Sequence, residues 1–254
     1  MQAIWKGHIT FGLVSVPVAL YSATSDGGIS FNLLHAKDNS PIKYRKVCER
    51  EGTEVPPGEI VRAYQYEKDQ YVVLDDKDFE KVDVVLSKTI NIVNFVKIGD
   101  VDPMWFDKPY YLEPREGGQT PYELLRRALA ESGFVGIART VLRNREHLAC
   151  LLPRAEIMVL ELMRYSNELR DTAKLNKVGR VKVDKKQLDL AKELINRMAG
   201  DFRYDEYTDE YTVKLMDIIR KKAAGKRIVA PKAPRAPEVK NLMEALERSL
   251  KEAA

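Results

Sequence analysis

Three β-prone runs in close succession, Phe134 to Leu142, His147 to Leu152 and Glu156 to Met163, constrain the fold more than any other part of the chain. The connections between them are too short for anything but antiparallel pairing. Upstream, Ile4 to Tyr21 alternates in part. Ile9, Phe11 and Leu13 lie on one side, and Val14, Val16, Val18 and Leu20 follow a phase change, with Gly12 and Pro17 suited to a bulge or edge. Ile29 to Ala36, Val84 to Lys97 and Tyr110 to Glu113 read as further strands. One helix interrupts them, from Pro121 to about Ser132. Thr120 is its expected N-cap, Glu123 completes a capping box and Gly133 stops it. Leu124, Leu125, Ala128 and Leu129 form the expected buried stripe, with Arg126 and Arg127 left to solvent. Six or more antiparallel strands around one helix favour a closed barrel over a sandwich. The expected fold is therefore mainly β with α, an antiparallel β-barrel.

The stretch from Ala36 to Leu74 does not fit inside such a barrel. Its first leg sets Lys43, Arg45, Lys46 and Arg50 around Tyr44 and Val47, and its second, Glu59 to Val73, is a β-prone run holding Tyr64, Tyr66 and Tyr71. Gly52, Pro56, Pro57 and Gly58 supply a turn between them. The expectation is a long two-stranded arm whose basic cations face one way and whose Glu49 and Glu51 face the other.

After Tyr165 the chain changes character. An irregular basic stretch leads into a helix opened by Asp184 and Gln187, with Leu188, Ala191, Leu194, Ile195 and Met198 on one face. A second helix, about Thr208 to Ala224, groups Tyr211, Leu215, Ile218 and Ile219. From Gly225 a linker with Pro231, Pro234 and Pro237 leads to an amphipathic segment whose Val239, Leu242, Met243, Leu246 and Leu250 share a stripe. The expected divisions are 1–166, 167–224 and 225–254.

No reaction centre is visible. The dense carboxylate group Asp75, Asp76, Asp78 and Glu80 fits a solvated helix start better than a metal site. His8, His35 and His147 are scattered, Cys48 and Cys150 form no CxxC, and no phosphate-cradling glycine loop or nucleophile elbow occurs. No cofactor or metal is expected. Lys6, His8 and Pro17 break the N-terminal apolar run, so neither a signal peptide nor a membrane span is expected, and the protein reads as soluble and cytoplasmic.

Charge distribution supplies the positive signal. The formal net charge is only +4, yet acids segregate: 53–108 holds twelve Asp and Glu against seven Lys and Arg. Cations cluster at Lys37 to Arg50, at Arg139, Arg143 and Arg145, at Lys174 and Lys177, and at the end of the second helix. Segregated charge on a nearly balanced chain implies a positive lining for an anionic partner. The basic residues lack the regular aromatic interleaving of a single-strand groove, so duplex backbone is the better target.

The opening WKGHITFGLVSVPVALYSAT, the segment RKVCEREGTEVPPGEIVRAYQYEKDQYVVL, the YYLEP strand and the terminal NLMEALERSL together resemble bacterial Ku, the DNA-end-binding protein of nonhomologous end joining. The resemblance covers essentially the whole chain. It implies a non-catalytic homodimeric ring around double-stranded DNA ends, cytoplasmic and associated with the nucleoid. The arm, 37–73, would be half of the encircling bridge, with Lys37, Lys43, Arg45, Lys46, Arg50 and Arg62 among its DNA contacts. Arg139, Arg143 and Arg145 resemble a backbone-contacting turn, and Lys174 and Lys177 extend the basic lining. The helices from Asp184 to Ala224 resemble a dimerisation arm. The stripe Val239, Leu242, Met243, Leu246 and Leu250 would engage the pathway's ATP-dependent DNA ligase. Some relatives carry a paired-cysteine knuckle at the arm, and many a long lysine-rich tail. Here Cys48 stands without a CxxC partner and the sequence ends at Ala254, so neither zinc nor tail-mediated bridging is expected. Two other readings fit the bare residues: a monomeric barrel for RNA or single strands, and a metal-dependent nuclease using Asp75, Asp76 and Asp78.

Overall fold

The structure is a computed structural model that describes residues 1–25, 27–81, 88–143, 145–179, 181–225 and 242–252. The chain divides into two compact units. Met1–Gly27 with Phe31–Asp171 forms the first, and Gly28–Ser30 with Thr172–Ala254 the second.

In the first unit, β1 (Trp5–Phe11), β2 (Val14–Ser22), β5 (Thr89–Lys97), β6 (Phe106–Pro114), β7 (Phe134–Leu142), β8 (Arg145–Arg154) and β9 (Ile157–Met163) close into a barrel in the order β1-β2-β6-β9-β8-β7-β5. The phase change near Gly12 is the turn of a hairpin, not a bulge: Phe11 pairs with Val14, and Gly12 takes φ +56, a conformation that glycine adopts without a Cβ clash. Leu13, at the tip, is fully exposed. Every strand pairing is antiparallel except the closing one, where Ile9 faces Ile90 in a parallel β1–β5 ladder. Inward-facing alternation buries Ile9, Val16, Val18, Leu20, Ile90, Leu112, Leu151, Met158 and Leu160 at 1% exposure or less. Only an isolated bridge at Leu34 stands where a strand over Ile29–Ala36 was expected.

Helix α2 (Gln119–Ser132) packs against β2, β7 and β8. It begins at Gly118, not Thr120, because Glu123 is drawn away from capping: its carboxylate accepts from Arg126 (2.8 Å) and from Arg127 (2.6 Å). Arg126 is thus held against the protein and also donates to the Ala155 carbonyl. The buried stripe is Tyr122, Leu125 and Leu129, while Leu124 is 69% exposed, a rotation from the expected stripe toward the aromatic ring. Tyr122 explains that choice. Its hydroxyl donates to the Leu112 carbonyl of β6 and accepts from the Met158 N–H of β9, both at 2.7 Å, so one buried oxygen clasps two adjacent strands to the helix. Gly133 ends the helix at φ +66, as expected.

The arm departs from the expected pair of long legs. Its second leg is itself a hairpin, β3 (Arg62–Glu67) against β4 (Gln70–Leu74), with Asp69 at φ +61 in the turn. The first leg makes only isolated bridges, Leu34 to Pro41 and Val47 to Glu54. A tight turn closes on Cys48, whose carbonyl accepts from Gly52 N–H at 2.8 Å, so the glycine turns the chain before the two prolines are reached.

In the second unit, α3 (Lys185–Met198) is capped by Asp184, which accepts from Gln187 N–H at 3.1 Å as expected, and α4 (Glu210–Ala223) is capped by Asp209. Helix α5 (Leu242–Glu252) packs on α3, burying Leu250 and half-burying Met243 and Leu246, while Leu242 stays 57% exposed. The expected tethered stripe is therefore covered within its own unit, because so short a helix is marginal in water until its apolar face finds a partner. Val239 lies outside the described residues.

Tyr122→Phe keeps the ring and removes the clasp, leaving a buried carbonyl and N–H unpaired. It should cost about 1–3 kcal/mol in urea unfolding with an unchanged slope; an unchanged midpoint would show that the hydroxyl contributes nothing to closure.

Candidate nucleic-acid interface

The nominated cations fall into three places. On the arm, Lys37, Lys43, Arg45, Lys46 and Arg50 are all exposed. Local pairing then divides them. Lys46 carbonyl accepts from Val55 N–H (2.9 Å) and Cys48 N–H donates to Thr53 (2.8 Å), which sets Val47 opposite Glu54. Side chains alternate across such a pair, so Arg45 shares the face of Val47 and Glu54 while Lys46 points to the other. Arg45 donates to Glu54 at 2.8 Å on that face. The single common basic face expected of the arm is thus split by the pleat. Arg62, at the start of β3, is paired with Asp76. Lys37, Lys43, Lys46 and Arg50 make no ion pair with any described residue.

The second place is the β7–β8 hairpin. Arg139 is exposed on β7, Arg143 occupies the turn at φ +53, and Arg145 opens β8. Arg145 is engaged by Glu168, whose carboxylate also accepts from Tyr165 N–H at 2.8 Å. That backbone bond, with Arg145 beside it, holds the Glu168 carboxyl below its usual range. Tyr165 in turn donates to Glu146 at 2.7 Å, and burial together with that carboxylate pushes its phenol up to about 12. His147 sits half-buried nearby; burial and then the Arg145 charge lower its pKa. Sequence reading found the arginines and missed Glu168, although the Tyr165-x-x-Glu168 spacing of a helical turn carried a signal for it.

Lys174 and Lys177 are exposed in the second unit. The nuclease candidates behave as helix-start residues. Asp75 N–H donates to Asp78 (3.2 Å) and Asp78 N–H to Asp75 (3.0 Å), Asp76 meets Arg62, and Asp78 accepts from Lys81 at 3.1 Å. Among the described residues no group of three or more His, Cys, Asp or Glu could hold a metal ion. None of their helices is long and apolar enough to cross a membrane.

The apolar content of the arm is as informative as its charge. No residue from Phe31 to Leu74 is buried, and Phe31, Leu33, Tyr44, Val61, Tyr64, Tyr71 and Val73 are each more than half exposed. Such a surface on a chain with a complete barrel core marks an interaction site.

Residues 10–190 match the family model described as the Ku70/Ku80 beta-barrel domain, which places the chain in the class of Ku-type β-barrel proteins. The chain is 42% identical to the Non-homologous end joining protein Ku of Opitutus terrae, covering 98% of this chain and 91% of that protein. It is 40% identical to the protein of the same name from Archaeoglobus fulgidus, over 98% of each. With its counterpart from Symbiobacterium thermophilum it shares 40% identity over all of this chain and 63% of the longer relative. The chain belongs to the Ku family.

Arg145→Ala should raise the pKa of His147, because it removes a nearby cation that opposes protonation while burial persists. An NMR titration of the imidazole checks this, and an unchanged or lower value would assign the depression to burial alone.

Proposed function

We propose that this protein is a non-catalytic, homodimeric ring that binds double-stranded DNA ends without reading their sequence, and that it serves nonhomologous end joining. The observation that carries the reading is the arm: a cation-bearing segment of more than forty residues in which nothing is buried in a single chain. A second copy would cover its apolar residues and leave the unpaired Lys37, Lys43, Lys46 and Arg50 for phosphates. The second unit supports the same reading, because Phe202, Tyr204, Tyr207 and Tyr211 are at least 74% exposed and Leu250 is its one buried apolar side chain among the described residues. Membership of a family whose relatives are named for end joining supplies the nucleic-acid partner.

Contacts to phosphates alone make binding steeply salt-dependent. With roughly 6 to 10 phosphates neutralised by the dimer, affinity should fall about 10³ to 10⁵-fold between 50 and 200 mM salt. Free cations should matter more than paired ones. Lys43→Ala with Lys46→Ala should weaken binding uniformly across sequences and flatten the salt slope, whereas Arg45, already held by Glu54, and Arg145, held by Glu168, should contribute less.

The decisive comparison is binding to linear and to covalently closed circular duplex of one sequence at physiological salt. Linear DNA should be held and the circle should not, because a ring must thread from an end; equal affinity would sink the ring. Recruitment of an ATP-dependent ligase is assigned to the α5 segment, where Leu242 remains exposed. Deleting 237–254 should spare DNA binding and abolish ligase stimulation, and undiminished stimulation would place the ligase elsewhere.

A further inference from the structure

The ion pair at the basic hairpin is built differently from the two on the arm. Arg45 and Arg62 answer Glu54 and Asp76, carboxylates more than half exposed and free to move with their partners. Glu168 is only 31% exposed and is anchored. Its Oε2 accepts from the Tyr165 N–H at 2.8 Å across the turn Ser166–Glu168, which the Glu168 N–H closes on the Tyr165 carbonyl at 2.9 Å. The Tyr165 hydroxyl is tied at 2.7 Å to Glu146, the residue after Arg145 on β8. The carboxylate is thus fixed to the barrel by bonds that do not involve Arg145. The guanidinium is the mobile partner. Its side chain is 61% exposed, it reaches Oε1 through Nη2 alone, and its Nε and Nη1 donate to no described residue.

We propose that Glu168 is a built-in competitor for DNA phosphate at Arg145, a positioning residue that holds one cation of the hairpin turn back from the duplex. The inference rests on the DNA-binding reading above and adds to it a residue that limits how firmly the protein grips. Carboxylate and phosphate oxygens are alternative acceptors for the same guanidinium N–H donors. While Glu168 keeps Nη2, a phosphate must either displace an anchored anion or settle beside it, and both cost affinity.

Stability supplies no other reason for the pair. Exposed arginine–carboxylate contacts add little to folding, and this turn is closed by its backbone with or without the arginine. Ionisation is assured, because the Tyr165 N–H and the Arg145 charge hold the Glu168 carboxyl below its usual range. The neighbours isolate the effect. Arg139 and Arg143 make no ion pair with any described residue, so Arg145 is the cation of this hairpin whose strength a single carboxylate governs.

Binding of linear duplex by the full chain, followed from about 50 to 200 mM salt, tests the assignment. Glu168→Gln keeps the size and the acceptor for the Tyr165 N–H and removes the charge. It should bind about three- to tenfold more tightly at low salt, with the slope of log affinity against log salt steeper by about 0.9 for each phosphate gained. Glu131→Gln removes an equal charge beyond the opposite end of β7, about 27 Å of strand away, and should leave affinity within about twofold. With Arg145→Ala in place, the gain from Glu168→Gln should fall to the level of that control. Unchanged or weaker binding by Glu168→Gln at an unaltered urea midpoint would overturn the proposal, as would a gain that survives the loss of Arg145. Should Glu168→Gln melt early, Arg145→Ala in the otherwise unaltered chain carries the test: it should weaken binding less than Arg139→Ala, and an equal or greater loss counts against the competitor. Duplex binding absent from the unaltered chain would instead remove the DNA reading, and this proposal with it.

Discussion

Closure of the barrel through a parallel seam governs the rest of the molecule. Because β2 runs antiparallel to β1 and β5 parallel to it, β2 ends at the end of the barrel where β5 begins, with β1 between them, and the whole arm is inserted in that one connection past β1. Thr10 reinforces the seam by a side-chain bond to Asn91 at 3.1 Å. Once closed, the sheet has no edge left to recruit partners and no lumen, its interior being filled by Ile9, Leu20, Ile90, Leu112 and their neighbours. Binding is thereby confined to what is appended or exposed: the arm, the hairpin ends and the outer strand faces.

The barrel strands were largely legible because each carries its own period-two alternation, and Phe134–Leu142 coincides with its expected run to the residue. Helix α3 was equally plain, since Asp184 announces its start locally. What escaped reading depends on contacts distant in sequence. The stripe on α2 turns toward Tyr122 because Leu112 and Met158 supply partners for a hydroxyl, a fact no window around the helix contains. The arm was misjudged for the opposite reason. Its β-prone second leg is long enough to be one strand, and only Asp69 at positive φ, a residue that tolerates that conformation, folds it back on itself.

Among the candidate contacts, positive charge was legible and its availability was not. Arg45, Arg62 and Arg145 each answer a carboxylate that stands nine, fourteen or twenty-three residues away. Exposed pairs of this kind are worth little to stability, so their effect is chiefly to fix where a guanidinium points. The lysines of the arm have no such restraint and keep their rotamer freedom, which suits a partner presenting a repeating backbone and not a particular base. Acids were read only as the counterweight to these cations, yet Glu54, Asp76 and Glu168 are what hold those three arginines.

The parallel seam also has a meaning in time. The residues it joins are separated by about eighty positions, His8 meeting Thr89, so β1 emerges from the ribosome long before its neighbour exists. The β1–β2 hairpin must wait with both flanks open while the whole arm is synthesised, since β5 and β6 both follow it, and closure of so wide a loop is slow compared with the local pairing of β7, β8 and β9. His8, Lys6 and Thr10 alternate along that waiting strand with Gly7 and Ile9. Polar side chains at every second position therefore guard the nascent flank against pairing with another unfinished chain.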